Sequence, residues 1–275
     1  MQPLVEELKE LWDVGIPTYD IAKEENFVLH ASLLWTISDF PGYAMLSGWS
    51  TKGYLACPIC GYETLSMYLK HSRKCCYVSH RKFLDANHKW RLDKKRFDGK
   101  VETGEAPKIM TGSFIKKILD GYENNFGGIG KGKGKRKVSC SKNPWNKNSI
   151  LFDLPYWSEN LIRHNLDVMH IEKNICDSVL GTLLNIGGKT KDHINARLDL
   201  QELGIRKVLH PTPSADGKHL EIKAANFDMT NKEKEIFCSV LQNAELPYGF
   251  SSNLSKCVQD KKVTGYKSHD AHIIM

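Results

Sequence analysis

The sequence contains no long apolar run. Within its 275 residues, no uninterrupted hydrophobic stretch approaches the roughly 18–20 residues that a helix needs to cross a bilayer. The opening segment, MQPLVEELKELW, mixes apolar with acidic residues and lacks the basic start and apolar centre of a secretory signal. We therefore expect neither a membrane span nor a secretory signal, and no membrane partner.

Compositional bias and internal repeats are also lacking. Hydrophobic residues make up 41% of the chain and charged residues 26%, which are ordinary proportions for a globular protein. The absence of a repeat excludes a solenoid. The length suffices for one large domain or for two smaller domains with cores of their own.

Positive charge is concentrated in two segments of the chain. Residues 70–100 contain eleven Lys and Arg against three Asp and Glu, and residues 131–147 contain seven Lys and Arg and no acid. The whole chain carries +7, so its remainder is acidic. This pattern favours a polyanion such as DNA as the partner, although a solvated basic loop explains either segment alone equally well. The candidate DNA-binding side chains are Arg73, Lys74, Arg81, Lys82, Arg91, Lys94, Lys95, Arg96, Lys133, Lys135, Arg136 and Lys137.

Four of the eight cysteines crowd into one short segment with the spacing of a metal site. Cys57 and Cys60 are separated by two residues, and His71, Cys76 and His80 follow. Two such cysteines can provide two of the four ligands of a tetrahedral Zn²⁺, and a second pair of residues provides the other two. The second pair is His71 with Cys76, or Cys76 with His80. We expect a structural Zn²⁺ here; the alternative is a chance cluster of reduced cysteines.

Apolar spacing predicts the main elements. Val5, Leu8, Leu11 and Trp12 predict an opening helix, and the dense run from Phe27 to Ile37 predicts a buried strand. That run is followed by Asp39, an acid at the carboxyl end of a core element, where α/β folds usually build their sites.

Further along the chain, helices are predicted. One short helix is predicted at residues 63–70, leading to His71. A longer helix carries apolar residues on one face and ends at two glycines, and two more cover residues 191–203 and 232–241, the last capped by Thr230. The apolar residues of the longer helix are Val168, Ile171, Ile175, Val179 and Leu183, and its terminating glycines are Gly187 and Gly188.

Asp167 and His170 form a second candidate constellation. They stand three residues apart on a predicted helix, so both side chains share one face. Such a pair can bind a metal together, or the carboxylate can orient the imidazole. With Glu172 they would suit a metallohydrolase, whereas an ordinary pair on a helix surface is the simpler interpretation.

Two long stretches of the sequence are distinctive, namely LLWTISDFPGYAMLSGWSTKG and the segment that contains NLDVMHIEKNICDSVLGTLLNIGG. Together with four further segments they resemble the plant transposases of the CACTA (En/Spm) class. The resemblance covers nearly the whole chain, in residues 3–20, 33–53, 57–64, 69–91, 152–200 and 255–275.

This resemblance implies a fold. It implies an α/β architecture, namely a partial RNase H-like (DDE-type) core with an inserted small zinc-knuckle module. The domains would be an N-terminal part of the core at residues 1–42 and the basic Cys/His insertion at 43–100. A Gly- and Lys-rich linker at 101–149 and a helical continuation at 150–275 would follow.

The resemblance also implies catalytic residues. Asp39 matches the second of three carboxylates that would hold two Mg²⁺ or Mn²⁺ ions, and Asp167 and His170 match the Asp-x-x-His motif that follows it. The first and last carboxylates of the family would fall outside residues 1–275, so we expect no transposition activity from this chain alone. The family's zinc ligands match Cys57, Cys60, His71 and Cys76, with Cys75 a weaker candidate.

Partners and location follow from the same resemblance. It implies DNA, at transposon ends in the complete protein, together with a nuclear location, and it leaves room for a homo-oligomer. The alternative is a non-enzymatic, zinc-dependent adaptor that binds nucleic acid through the two basic segments.

Overall fold

The computed structural model describes residues 1–124, 143–250 and 253–275. Contacts divide the chain into two compact units. The first unit comprises Met1–Met67, Tyr77–Asp85 and Thr103–Leu166, and the second comprises Tyr68–Cys76, Ala86–Glu102 and Asp167–Met275. None of the helices in the described ranges is long and apolar enough to cross a membrane. The four-domain division stays a prediction.

The described part of the chain mixes helices with short strands. The helices are α1 (Gln2–Asp13), α2 (Phe40–Ser47), α3 (Lys89–Leu92), α4 (Gly112–Ile118), α5 (Val168–Leu183), α6 (Ile194–Glu202), α7 (Asn231–Gln242) and α8 (Ser268–Ile274). The strands are β1 (Ile16–Asp20), β2 (Glu25–Leu29), β3 (Thr36–Ser38), β4 (Ser66–Leu69), β5 (Lys74–Tyr77), β6 (His164–Leu166), β7 (Thr212–Pro213), β8 (Leu220–Glu221), β9 (Val258–Gln259) and β10 (Lys262–Val263).

The strands form two-stranded sheets, of which β3–β6 is parallel. The pairs β1–β2, β7–β8 and β9–β10 are antiparallel, and β4 lies beside β5. A parallel pair requires a long connection between its strands, and β3 and β6 are more than 120 residues apart in the sequence. The RNase H-like core stays a prediction.

The predicted opening helix is confirmed as α1. Val5 is fully buried, and Leu8 packs beside it against the core of the first unit. The chain leaves the helix at Gly15, whose positive φ of 76° suits a residue without a Cβ. The spacing of the apolar residues was sufficient to place this element.

The predicted buried strand from Phe27 to Ile37 is wrong. Its first part is β2, which pairs with β1 from Ile16↔Leu29 to Asp20↔Glu25 and is exposed along its whole length. Its last part is the separate strand β3, and no strand joins the two. A turn after Asp20 sends the chain back along β1, and apolar density alone cannot distinguish a hairpin strand from a buried one.

The core of the first unit is built around tryptophans. Trp49 and Trp145 meet edge to face, with ring centroids 4.9 Å apart. The indole N–H of Trp49 donates to the carbonyl of Leu55 at 3.0 Å, and that of Trp145 donates to the Tyr62 hydroxyl at 3.0 Å. Each indole therefore contributes apolar contact while its polar atom is satisfied.

The predicted helix beginning near Val168 is confirmed as α5, but a different face of it is buried. Cys176, Leu180 and Leu184, spaced by four residues, enter the core of the second unit together with Cys238 of α7. Four of the residues on which the prediction relied have 40–64% of their surface exposed, namely Val168, Ile171, Ile175 and Val179. The helix ends at Leu183, before the two glycines.

The two later helices are confirmed, whereas the short helix at residues 63–70 is wrong. α6 and α7 occupy the predicted ranges. In α7 the Thr230 hydroxyl accepts from the Glu233 backbone N–H, and the Glu233 carboxylate accepts from the Thr230 N–H at 2.7 Å, which forms a capping box. Residues Ser66–Leu69 form β4 instead of a helix, because alternating residues there suit a hairpin with β5.

Candidate functional site

The carboxyl ends of β3 and β6 lie side by side. Their register pairs Thr36 with His164 and ends with Ser38 opposite Leu166. The chain continues from β3 into Asp39. Polar residues that follow parallel strands are the usual building blocks of sites in α/β proteins.

Asp39 caps α2. Its Oδ1 atom accepts the backbone N–H of Gly42 at 2.7 Å, which satisfies one of the free donors at the helix start. A Cβ atom on Gly42 would lie 3.0 Å from both Asp39 Oδ1 and Ser38 Cβ. The half-buried carboxylate thus has a structural role through one oxygen, which leaves Oδ2 able to coordinate a cation.

Ser38 lies immediately before this carboxylate. Its hydroxyl oxygen is buried and has no hydrogen-bond partner among the residues that the structure describes. A buried polar atom without a partner costs free energy, so this position differs from an ordinary packed strand end. Sequence reasoning did not identify Ser38.

A partly buried polar cluster includes one residue from each strand of the pair. Thr36 Oγ1 and His164 Nδ1 are 2.8 Å apart, and the ring of Tyr43 meets the His164 ring edge-on. Burial, and then the nearby Arg163, lower the pKa of His164 to about 4. Burial raises the pKa of Tyr43 to about 12. The cluster is therefore uncharged at neutral pH apart from Arg163, and sequence reasoning missed its histidine.

Asp167 and His170 begin α5 in the second unit. Asp167 is the helix cap: its Oδ1 accepts the backbone N–H groups of Met169 at 3.0 Å and His170 at 3.3 Å. Their contact therefore runs through the backbone of His170, whose side chain is exposed. Asp167 lies at the N-cap of the helix and not inside it, and the joint role of its side chain with that of His170 stays a prediction.

Glu172, the third member of the metallohydrolase hypothesis, is engaged elsewhere. Its Oε2 atom lies 2.9 Å from His272 Nδ1. Among residues 1–124, 143–250 and 253–275, no group of close ligand atoms contains Asp167, His170 and Glu172 together. The structure does not support the metallohydrolase.

Cys57 and Cys60 form a tight turn in the first unit. The Cys60 N–H points at Cys57 Sγ at 3.4 Å, and the Gly61 N–H donates to the Cys57 carbonyl at 2.9 Å. Burial, and then the hydrogen bond and charge of Cys57, raise the pKa of Cys60 to about 11. The two sulfur atoms suit a soft cation such as Zn²⁺.

The other predicted zinc ligands are divided between the units. His80 lies with the cysteine pair in the first unit, whereas His71, Cys75 and Cys76 lie in the second. Within the described residues, Cys57, Cys60 and His80 do not form a group of three close ligand atoms. The zinc site and its ligand set stay predictions.

His71 is brought instead to two acids of α6. It lies in the turn after β4, not on the predicted helix, and Asp199 accepts the backbone N–H groups of His71 and Ser72 at 2.9 Å each. His71 Nε2 is 3.7 Å from Glu202 Oε2, and Lys70 also pairs with Glu202. Sequence reasoning missed both acids, which lie far along the chain from the hairpin.

The electrostatics of this cluster agree with an anchoring role. Burial opposes ionisation of Asp199, but hydrogen bonds from the Ser72 side chain and the two backbone N–H groups, together with His71, lower its pKa. Within the described residues, the potential metal-ligand atoms of three side chains lie close together, those of His71, Asp199 and Glu202. Because both Asp199 oxygens already accept hydrogen bonds, the cluster serves to hold the β4–β5 turn.

The predicted DNA-binding residues differ in exposure. Lys82 and Arg91 are buried and donate to backbone carbonyls, Lys82 to Glu63 at 3.4 Å and Arg91 to Glu102 at 3.0 Å. Arg81 is half-buried. The exposed members are Arg73, Lys74, Lys94, Lys95 and Arg96, and Lys133, Lys135, Arg136 and Lys137 lie outside the described residues.

Comparison with known proteins gives one match. No curated protein and no solved structure matches the chain. Residues 1–121 match the family model described as Transposase family tnp2. The matched residues include Asp39, the Cys57–Cys60 turn and all five exposed cations. Residues 1–121 are therefore similar to a transposase family.

Proposed function

We propose that this chain is a transposase-derived, DNA-binding protein of the CACTA (En/Spm) class. The observation that carries the proposal is the family match over residues 1–121. The resemblance of the remaining segments, through residues 152–200 and 255–275, extends it along the chain. A nuclear location and plant origin belong to the same proposal.

Exposed cations support DNA as the partner. Lys94, Lys95 and Arg96 are consecutive and exposed in the second unit. Among the residues that the structure describes, Arg96 pairs with an acid, Asp93 at 3.4 Å, and the two lysines do not. Cations without compensating acids attract phosphates and release counterions on binding. The two buried cations, Lys82 and Arg91, belong to the fold and not to this surface.

The catalytic part of the proposal concerns Asp39. Mg²⁺ and Mn²⁺ prefer oxygen ligands, and the Oδ2 atom of Asp39 is compatible with that preference. Such an ion, when bound, supplies charge stabilisation for attack on a phosphodiester. Asp39 would hold the ion at the end of β3, while its Oδ1 keeps α2 in place. The roles of Asp167 and His170 are proposed only from the resemblance.

A second candidate is a non-enzymatic, zinc-dependent adaptor that binds nucleic acid. The Cys57–Cys60 turn is the observation behind it, because it brings two cysteine side chains, the ligand type that Zn²⁺ prefers, into one tight turn. A structural Zn²⁺ would be compatible with both candidates. The two candidates differ in whether Asp39 binds a metal ion: the transposase-derived protein requires it, and the adaptor does not.

The DNA-binding proposal is tested by fluorescence anisotropy with a labelled duplex. The triple variant Lys94→Gln, Lys95→Gln, Arg96→Gln removes three exposed charges, and we expect at least tenfold weaker binding. The matched control is Lys207→Gln, Lys218→Gln, Lys232→Gln, three exposed lysines of the same unit. Equal affinities of the two variants would place DNA binding elsewhere, and no binding by the unaltered chain would contradict the proposal.

A further inference from the structure

The second unit contains a lysine-lined cavity whose lining residues have not been considered so far. Its volume is about 510 Å³, within the range of ligand pockets. Its wall comes from α5, from the loop that follows α5, and from the segment that enters α8. The lining residues are Lys173, Asp177, Lys189, Gly265, Tyr266, Lys267 and Ser268.

The cavity carries excess positive charge. Three lysines face a single acid, Asp177. Asp177 Oδ1 has two partners: the Tyr266 hydroxyl donates to it at 2.8 Å, and Lys189 Nζ lies 3.9 Å away. Within the described part of the chain, the ammonium groups of Lys173 and Lys267 form no ion pair with an acid.

The tyrosine fixes the acid in its place. Tyr266 is buried, with 5% of its surface exposed. Burial, and then the hydrogen bond to Asp177, raise the pKa of Tyr266, so its hydroxyl remains a donor. With the carboxylate occupied in this way, the ammonium groups of Lys173 and Lys267 and the Ser268 hydroxyl are the groups available to a ligand.

We propose that this cavity binds a phosphate group. Lysine ammonium groups are compact point charges that bind phosphate without a fixed orientation. A net charge of about +2 matches a phosphate monoester or pyrophosphate better than a carboxylate. The phosphate comes either from a DNA backbone, which would extend the proposed function, or from a small free phosphate compound.

The direct test uses inorganic pyrophosphate as the probe. Binding to the full chain is measured by isothermal titration calorimetry. The variant Lys173→Gln, Lys189→Gln, Lys267→Gln is compared with the control Lys207→Gln, Lys218→Gln, Lys232→Gln, and circular dichroism verifies that both fold. We expect the cavity variant to bind at least tenfold more weakly than the control. Equal binding by the two variants, or no binding by the unaltered chain, overturns the cavity as a phosphate site.

The second arm distinguishes the source of the phosphate. The same variants are titrated with a labelled duplex over a range of salt concentrations. If DNA is the source, the cavity variant binds DNA more weakly, and the slope of log Kd against log salt falls by about one for each phosphate that the variant no longer neutralises. If the variant binds DNA normally and fails only to bind pyrophosphate, the ligand is a free phosphate compound.

The two proposals fail separately. A chain that binds pyrophosphate in the cavity but no DNA contradicts the proposed function and keeps the phosphate site. A chain that binds DNA equally well with and without the three cavity lysines, and binds no pyrophosphate, contradicts the cavity and keeps the proposed function.

Discussion

Ser38 and Leu166 form the last register pair of the parallel strands β3 and β6. The chain passes from Ser38 into Asp39, and from Leu166 into Asp167, and each aspartate caps the helix that follows it. Each carboxylate therefore has a local structural role that does not depend on any ligand. A useful experiment must separate that role from metal binding.

Asparagine at position 39 makes this separation. Asn caps helices as well as Asp does, whereas Ala does not. We expect Asp39→Ala to lower the free energy of unfolding by about 1 kcal/mol and Asp39→Asn to leave it nearly unchanged. In urea unfolding, the two substitutions should therefore differ.

Metal binding gives the second measurement at this position. If Asp39 holds Mn²⁺, Asp39→Asn should weaken the enhancement of water proton relaxation by Mn²⁺ at unchanged stability. The same Mn²⁺ measurement on Asp167→Asn tests whether Asp167, the cap of α5, also binds the metal. If the Asp39→Asn protein binds Mn²⁺ as well as the unaltered chain does, Asp39 has only its helix-capping role. That result would favour the non-enzymatic, zinc-dependent adaptor.

The buried His164 should make stability depend on pH. Its pKa is about 4 in the folded protein against 6.5 when unperturbed, so between these values the unfolded chain binds more protons. Stability should fall as pH falls from 6.5 toward 4, by about 3 kcal/mol from this group. Above pH 6.5 the group contributes no further change.

The control for this prediction is His164→Gln, which cannot titrate. Its free energy of unfolding should vary less with pH between 4.5 and 6.5 than that of the unaltered chain. Parallel pH profiles of the two proteins would show that His164 is not the responsible group.

Breaking a buried ion pair should destabilise the second unit. Arg197 is 1% exposed, and its guanidinium bonds Asp192 through Nε at 2.7 Å and through a second nitrogen at 2.5 Å. Asp192→Ala leaves this buried cation without its partner, so we expect a loss of about 3–5 kcal/mol in thermal or urea unfolding. The exposed pair of Lys261 and Glu235 is the contrast, and Glu235→Ala should cost less than about 1 kcal/mol.

Two glycines with positive φ should tolerate alanine differently. A Cβ atom on Gly48, where φ is 83°, would lie 2.2 Å from the Lys147 carbonyl oxygen, whereas one on Gly53, where φ is 86°, would meet nothing within 4 Å. Gly53→Ala should cost about 1 kcal/mol from the backbone alone. Gly48→Ala should cost about 3 kcal/mol because the clash adds to it, and equal unfolding midpoints would contradict the close approach.

The zinc prediction is tested by metal content. Mass spectrometry of protein purified without added metal should find about one zinc per chain, and Cys57→Ser with Cys60→Ser should remove it. Cys75→Ser, the weaker candidate ligand, is the matched control and should retain the metal. A folded, zinc-free protein would contradict the zinc-dependent adaptor and would leave the DNA-binding, transposase-derived candidate without a zinc site.

Some elements of the fold could be predicted from the pattern of residues that are close together in the sequence. Helix α1 and the Thr230 cap of α7 were predictable because apolar spacing and a capping box act over a few residues. The exposed face of α5 was not predictable, because which of two apolar faces is buried depends on α7 and α8. The strand at Phe27 was misread because its partner β1 lies across a turn that composition does not reveal.

The same distinction applies to the candidate site, of which some parts were predictable from nearby residues and others were not. The position of Asp39 after a strand was predictable, because it follows an apolar segment and precedes Phe-Pro-Gly; its metal-binding role stays a prediction. The anchoring of His71 by Asp199 could not, because the contact joins residues 128 positions apart. The same holds for the lysine-lined cavity, whose walls come from three separate segments.

The central claim is that this chain binds DNA, and the most direct measurement is its affinity for a labelled duplex at several salt concentrations. Anisotropy titrations between about 50 and 200 mM salt should show log Kd rising linearly with log salt, as expected when phosphates are neutralised by Lys and Arg. No binding at the lowest salt, or an affinity independent of salt, would contradict the account.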